Sequence, residues 1–246
     1  MKEIVRVENV EKIYHTEEEE VLSLRDISFS VYEGEFLSIV GPSGCGKSTI
    51  LSILCGLLDY SSGSIHMNEN YKIAYMLQDD ALLPYKTVLE NCLLGLKVEH
   101  ALTEESKDYV ISLLDTYGLH DFIHQYPSHL SGGMRQRVAL IRTLAIKPDI
   151  LLLDEAMSSL DYQSRLMIGE DIYNIIKKEG KTAIMVTHDL GEAVSISDRI
   201  LVLSKRPSIV KKCYVVELEN KDGPIARRGD PNFSKYFNSI WRDLND

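Results

Sequence analysis

The chain lacks long apolar runs: no stretch approaches the roughly 20 uninterrupted residues that a membrane-spanning helix needs. Met1-Lys2-Glu3-Ile4-Val5-Arg6 also lacks the apolar core of a secretion signal, so a cytoplasmic protein without a membrane span is expected. Cysteine is scarce. The four present, Cys45, Cys55, Cys92 and Cys213, show no C-x-x-C spacing, so reduced thiols rather than a disulfide framework are expected. An excess of basic charge is missing as well: 27 Lys and Arg face 37 Asp and Glu, for a net charge of −10. That sign argues against a protein that wraps nucleic acid, whose phosphates demand a basic face. What the chain does have is length and apolar content. With 246 residues, 44 % of them hydrophobic, it can bury a sizeable core as one large α/β domain or a core with a smaller lobe.

The most informative stretch is Gly41-Pro42-Ser43-Gly44-Cys45-Gly46-Lys47-Ser48-Thr49. An apolar run, Phe36 to Val40, precedes it, and Ile50, Leu51, Ile53, Leu54, Leu57 and Leu58 follow at helical spacing. Strand, glycine-rich turn, then helix is the context of a phosphate-binding loop. The glycines let several backbone N–H groups converge on one anion, and the helix adds the positive end of its dipole. Lys47 can reach outer phosphates, and Ser48 can hold Mg²⁺. Cys45, near the helix start, is a candidate for a reactive thiol protected by nucleotide, or else an inert spacer.

Before the loop, Ile4 to Val10 and Ile27 to Tyr32 alternate apolar and polar residues, as antiparallel strands with one wet face do. The acidic run His15 to Glu20 between them reads as a solvated hairpin loop. Tyr14 is either half-buried packing or an aromatic face for a base. After the loop helix come a turn at Asp59 to Gly63, strand-like pieces at Ser64 to Met67 and Ile73 to Met76, and Gln78, a surface cap or a contact to metal-bound water.

From Thr87 to about Ile146 the periodicity is helical, with Thr103 as one cap and Ser106 where a Glu is usual. Such a block is too long for a simple crossover, so it reads as a helical lobe inserted into the α/β core. Within it, Ser131-Gly132-Gly133 opens a helix and is either a second anion site or a plain Ser cap with flexible glycine. Ile150 to Leu153 is a buried parallel strand ending in Asp154-Glu155, where ligands gather in such sheets. Asp154 suits a Mg²⁺ shell and Glu155 suits activation of water. Ser158-Ser159-Leu160-Asp161 opens a helix, with a simple cap as the alternative. Ala183 to Val186 is another buried strand, ending at His188 in the same crevice. Strands at Ile200 to Leu203 and Ile209 to Leu218 and an apolar-faced helix from Phe233 to Leu244 complete the chain.

These motifs in this order resemble the ATP-binding subunit of an ABC transporter over nearly the whole length. Leu130-Ser131-Gly132-Gly133-Met134 is the specific signal, since phosphate loops also occur in kinases and GTPases. The resemblance implies an α/β fold: a P-loop NTPase core with a mostly parallel sheet, an N-terminal antiparallel β subdomain and an inserted α-helical subdomain. It would be one domain over 1–246, with 1–86 and 147–246 as a RecA-like core and 87–146 as the helical part. Tyr14 would stack on the base. The loop of Gly41, Pro42, Ser43, Gly44, Cys45 and Gly46, through its backbone N–H groups, would with Lys47 cradle the β- and γ-phosphates of ATP, with Thr49 near the inner phosphates. Ser48, Gln78 and Asp154 would surround Mg²⁺, with Gln78 as sensor. Glu155 would be the base for the attacking water, and His188 would hold the γ-phosphate. Ser131, Gly132 and Gly133 would cap nucleotide held by a second copy, and Asp161 would cross that dimer interface. Two departures, Ala156 where relatives have Pro and Ser128-His129 where they have His-Gln, leave both carboxylates in place.

With no membrane span, the permease is expected to be a separate chain, with a solute-binding protein as indirect partner and the subunit peripheral on the inner face of the cell membrane. The roughly 58 residues after His188 are too few for the regulatory domain of sugar importers. The wording from Leu82 to Asn91 and from Leu203 to Ser208 looks like the nitrate, sulfonate and taurine importer branch. The alternative is a non-transport ABC ATPase in DNA repair, translation or a regulatory scaffold, and no nucleic acid partner is expected.

Overall fold

The computed structural model describes residues 2–15, 19–158, 160–220 and 222–245. Two sheets share the described residues. In the first, β1 (Glu3–His15) lies between β2 (Glu20–Tyr32) and β4 (Ser62–Met67), antiparallel to both. Val5, Val7, Val10, Leu24, Ile27, Phe29 and Val31 form its buried face. Both β1 and β2 run longer than alternation predicts, because the pairing shifts register between Val7 and Val10, and Asn9 turns to φ 49°. A bulge of this kind displaces the period and hides the continuation. β4 crosses this bulge through Gly63 at φ 95°, where an added Cβ would lie 2.4 Å from the Asn9 carbonyl oxygen. Of the acidic run, residues 16–18 lie outside the described part.

The second sheet has six strands. In spatial order they are β5 (Ile73–Met76), β6 (Ile150–Asp154), β7 (Thr182–Thr187), β3 (Phe36–Val40), β8 (Arg199–Leu203) and β9 (Val210–Val215). The first five are parallel and β9 runs antiparallel on the edge. β9 ends three residues before the expected Leu218. β3, β6 and β7 are buried throughout, as strands covered on both faces must be. Along β6 the pleat sends Ile150 and Leu152 into the cluster under α1 (Lys47–Leu54), and Leu151 and Leu153 into the opposite one. Truncating one of these leucines to alanine would cost about 2–5 kcal/mol.

The second cluster extends into the helices that join β5 to β6: α2 (Val88–Cys92), α3 (Leu94–Val98), α4 (Glu104–Thr116) and α5 (Gly132–Leu144). The periodic run from Val88 is broken at Leu93 into α2 and α3. Thr103 caps α4 as expected, and Ser106 takes the place of the usual Glu: its hydroxyl oxygen accepts from the Thr103 amide at 2.8 Å. Beyond β6 the remaining helices are α6 (Tyr162–Lys178), α7 (Leu190–Ile196), α8 (Pro224–Arg227) and α9 (Phe233–Asn245). The apolar face of α9 docks on its own chain, against the cluster of Leu190, Val194, Ile200 and Val202.

Candidate functional site

The carboxyl ends of β3, β6 and β7 meet side by side, and each delivers site residues. After β3 the chain turns through the glycine-rich loop, with Gly44 at φ 72° and Gly46 at φ 107°. Gly46 is required twice over: its conformation is left-handed, and a Cβ there would come within 2.7 Å of Leu24 Cδ2. Lys47 opens α1 with only 6 % of its surface exposed. Its Nζ donates to the carbonyls of Gly41 (3.0 Å) and Pro42 (3.2 Å), so the ammonium is folded over the loop it belongs to.

Ser48 and Asp154 come together: the Ser48 hydroxyl donates to Asp154 Oδ1 at 2.8 Å. The other carboxylate oxygen, Oδ2, accepts from the Tyr75 hydroxyl at 2.7 Å. Burial first, then the bond to Asp154, pushes the Tyr75 phenol above its ordinary range. Hard oxygen donors from a hydroxyl and a carboxylate beside a phosphate loop are the donor set that suits Mg²⁺, which binds through few protein groups plus phosphate and water. The residues present therefore fit that ion.

Past Asp154 the strand ends abruptly. Glu155 adopts φ 44°, uncommon for a residue with a side chain, while its amide donates to the Val186 carbonyl at 2.9 Å. This turn aims the carboxylate at β7, where Glu155 Oε2 and His188 Nδ1 lie 3.1 Å apart. Ala156 is buried within the turn, which the Ser158 amide closes on the Glu155 carbonyl at 2.9 Å. Thr49 of α1 meets Tyr14 of β1, hydroxyl to hydroxyl at 3.1 Å, so Tyr14 borders the loop helix. Gln78 is exposed just beyond β5, and nothing ties it to Asp154 in this structure.

Of the two alternatives for Cys45, the structure favours the inert spacer: it is 1 % exposed and belongs to the core cluster that contains Leu24 and Leu203, so its thiol is not open to alkylation.

The signature residues stand apart. Ser131 caps α5, its hydroxyl accepting from the Met134 amide at 3.3 Å, and Gly132 and Gly133 form the first turn. Asp161 caps α6, accepting from the Ser164 amide (3.0 Å) and hydroxyl (2.6 Å), bonds that hold its carboxyl below the usual range. Ser159 of that motif lies outside the described residues. A shallow hollow of about 280 Å³ in front of Ser131 is lined by Gly133, Met134, Gln163, Ser164 and Met167 among others, and by none of residues 41–49.

Several neighbours escaped the sequence reading. Arg206 donates to the Gly44 carbonyl (2.9 Å) and Ser208 to the Cys45 carbonyl, so the β8–β9 turn holds the phosphate loop's carbonyls from outside. Arg165 donates to Asp189 Oδ2 and to the Leu160 carbonyl, both at 3.0 Å, bridging α6 to α7. Arg142 donates to the carbonyls of Asp80 and Ala81, tethering the segment after Gln78 to α5. These partners are distant in sequence and no local pattern announces them.

The family model described as ABC transporter matches residues 24–158, from β2 through the acidic end of β6. The chain belongs to the ABC transporter family. This membership makes it an ATP-binding, ATP-hydrolysing protein of the transporter type. The ABC transporter ATP-binding protein YtlC of Bacillus subtilis (strain 168) is 43 % identical over 248 residues, covering 98 % of this chain and 95 % of YtlC. At 37 % identity stand two importer subunits. The spermidine/putrescine import ATP-binding protein PotA of Pasteurella multocida (strain Pm70) matches over 83 % of this chain and 56 % of its own length. The aliphatic sulfonates import ATP-binding protein SsuB 1 of Agrobacterium fabrum matches over 90 % of this chain and 78 % of its own. Among solved structures, the ATP-binding cassette MJ0796, a dimer in a post-hydrolysis state bound to ADP and Pi, superposes with a TM-score of 0.75. That match has 32 % identity and covers 87 % of this chain and 99 % of the other.

Proposed function

We propose that the protein is the ATP-hydrolysing subunit of an ABC importer, two copies of which close around two Mg-ATP and drive a separate membrane permease. The observation that carries this reading is the joined set at the strand ends: Ser48 on Asp154 at 2.8 Å and His188 on Glu155 at 3.1 Å, beside the loop that opens α1. Lys47, released from the Gly41 and Pro42 carbonyls, neutralises charge on the outer phosphates of ATP. The loop from Gly41 to Gly46 holds the phosphates through those of its residues that carry a backbone N–H, and Tyr14 offers its ring to the base. Magnesium, held by Ser48 and Asp154 with Gln78 nearby, would supply positive charge to the phosphate oxygens. Glu155 accepts the proton of the attacking water, and His188 both orients Glu155 and donates toward the γ-phosphate. Phosphoryl transfer needs this positioning and charge more than covalent chemistry.

Ser131, Gly132 and Gly133 cap the nucleotide on the other copy, and Asp161 lies at the contact between copies. The hollow in front of Ser131, without a phosphate-loop residue in its lining, supports completion of each site by a second protomer. Binding energy then favours closure and hydrolysis reverses it. The helical part, 87–146, carries the signature, and the core is formed by 1–86 and 147–246. No helix among the described residues is long and apolar enough to cross a membrane, which fits a subunit held at the inner face of the cell membrane by its permease. A solute-binding protein would deliver cargo. The Leu82 to Asn91 wording and the sulfonate relative favour nitrate, sulfonate or taurine-like solutes; the polyamine relative at equal identity is the competing cargo class.

Phosphate release by the purified protein tests the catalytic core of this reading. Wild type should turn over ATP, and Glu155→Gln should lose about 10²–10⁴-fold, the range of a general base. Equal turnover in both would remove Glu155 from that role.

A further inference from the structure

We infer that Tyr75 is a positioning residue for the metal site: its hydroxyl holds one oxygen of Asp154 so that the other faces Ser48 and the nucleotide-bound cation. This inference rests on the proposed roles of Ser48 and Asp154. An aspartate side chain turns about a broad terminal torsion, so a carboxylate fixed at one end only presents either oxygen. Here both ends are fixed from different elements. Ser48 on α1 donates to Oδ1 at 2.8 Å, and Tyr75 on β5 donates to Oδ2 at 2.7 Å.

The strand register explains how the contact arises. Tyr75 pairs with Leu152, two residues before Asp154, and the pleat sends Leu152, Asp154 and Tyr75 to the same side of the sheet, under α1. The half-buried ring packs on the cluster beneath α1, which leaves the hydroxyl little choice of direction. A donor on Oδ2 also disfavours two-oxygen coordination, leaving one oxygen for an ion that demands near-octahedral geometry. Outer partners of metal ligands act in this way, and losing one typically lowers metal affinity or activity 10–100-fold.

Nucleotide affinity measured by fluorescence, with excess EDTA and again with Mg²⁺, separates positioning from general stability. In wild type, Mg²⁺ should tighten ATP binding. Tyr75→Phe keeps the ring and deletes the hydroxyl; its affinity in EDTA should stay within about two-fold of wild type, while the gain from Mg²⁺ shrinks about 10-fold. If Tyr75→Phe does not fold by thermal melting, Tyr75→Met, apolar and without a hydroxyl, carries the same expectation. A gain from Mg²⁺ that is unchanged or larger in the variant, or an equal loss in EDTA and Mg²⁺, would overturn the role of Tyr75. No gain from Mg²⁺ in wild type would instead overturn the metal site itself.

Discussion

The phosphate loop and the Ser131 signature are built differently. Around the phosphate loop nearly every functional side chain is already engaged by its own chain: Lys47 with loop carbonyls, Ser48 and Tyr75 with Asp154, Glu155 with His188. Around the signature, Ser131 and Asp161 do nothing more than cap their own helices, beside an open hollow. On the proposed reading, the first region keeps its carboxylates positioned for chemistry while Lys47 exchanges the loop carbonyls for phosphate. The second, on that proposed reading, is a recognition face where the N-terminus of α5 receives an anion held by another copy. A site divided in the proposed way would let turnover depend on the contact between two copies.

The largest expected effect comes from spoiling the open face alone. A Cβ at Gly133 would meet only Ile168 at ordinary contact distances of 3.8 and 3.9 Å, so Gly133→Asp should fold normally. Its carboxylate would face the anion site, and phosphate release should fall at least about 100-fold, as when one donor to developing charge is lost. ATP affinity of the isolated protomer should not change. Mixing Gly133→Asp with Lys47→Ala should restore part of the activity, because a mixed pair contains one intact composite site. No recovery on mixing would count against the division.

A smaller effect tests the bridge between regions. Arg165 joins the backbone just before Asp161 to Asp189, the neighbour of His188. Arg165→Ala leaves a part-buried carboxylate short of a partner and should destabilise the nucleotide-free protein by about 1–3 kcal/mol, read as a lower melting midpoint.

The smallest effect concerns pH. Burial pushes the Glu192 carboxyl up to about 7 from an ordinary 4.5, although the Thr187 hydroxyl donates to it. The folded state therefore prefers the protonated form. Its advantage is full below about pH 4.5 and disappears as the pH rises through about 7. Glu192→Gln, which keeps an acceptor for Thr187, should flatten stability against pH across that window. Denaturant melts at pH 5 and pH 8 that showed the same slope as wild type would assign the dependence to another group.

Legibility in the sequence followed the range of the interactions. Gly41 to Thr49, Asp154-Glu155 and His188 were readable because a glycine turn, a buried apolar strand and the residues at its end are neighbours along the chain. Tyr75 was not, since its partner comes from the adjacent strand and the register is not written locally. Arg165, Arg206 and Ser208 share that difficulty. Cys45 stayed undecided for a related reason: proximity to a helix start indicates a field, but whether the thiol meets solvent depends on packing with Leu24 and Leu203. The full lengths of β1 and β2 were obscured by the shift at Asn9, which breaks the period of two.

Light scattering on Glu155→Gln tests the divided site most directly. With saturating Mg-ATP the variant should run at twice the protomer mass, and adding Gly133→Asp should return it to the protomer. A species that stays at protomer mass with ATP bound would contradict a nucleotide sandwiched between two copies.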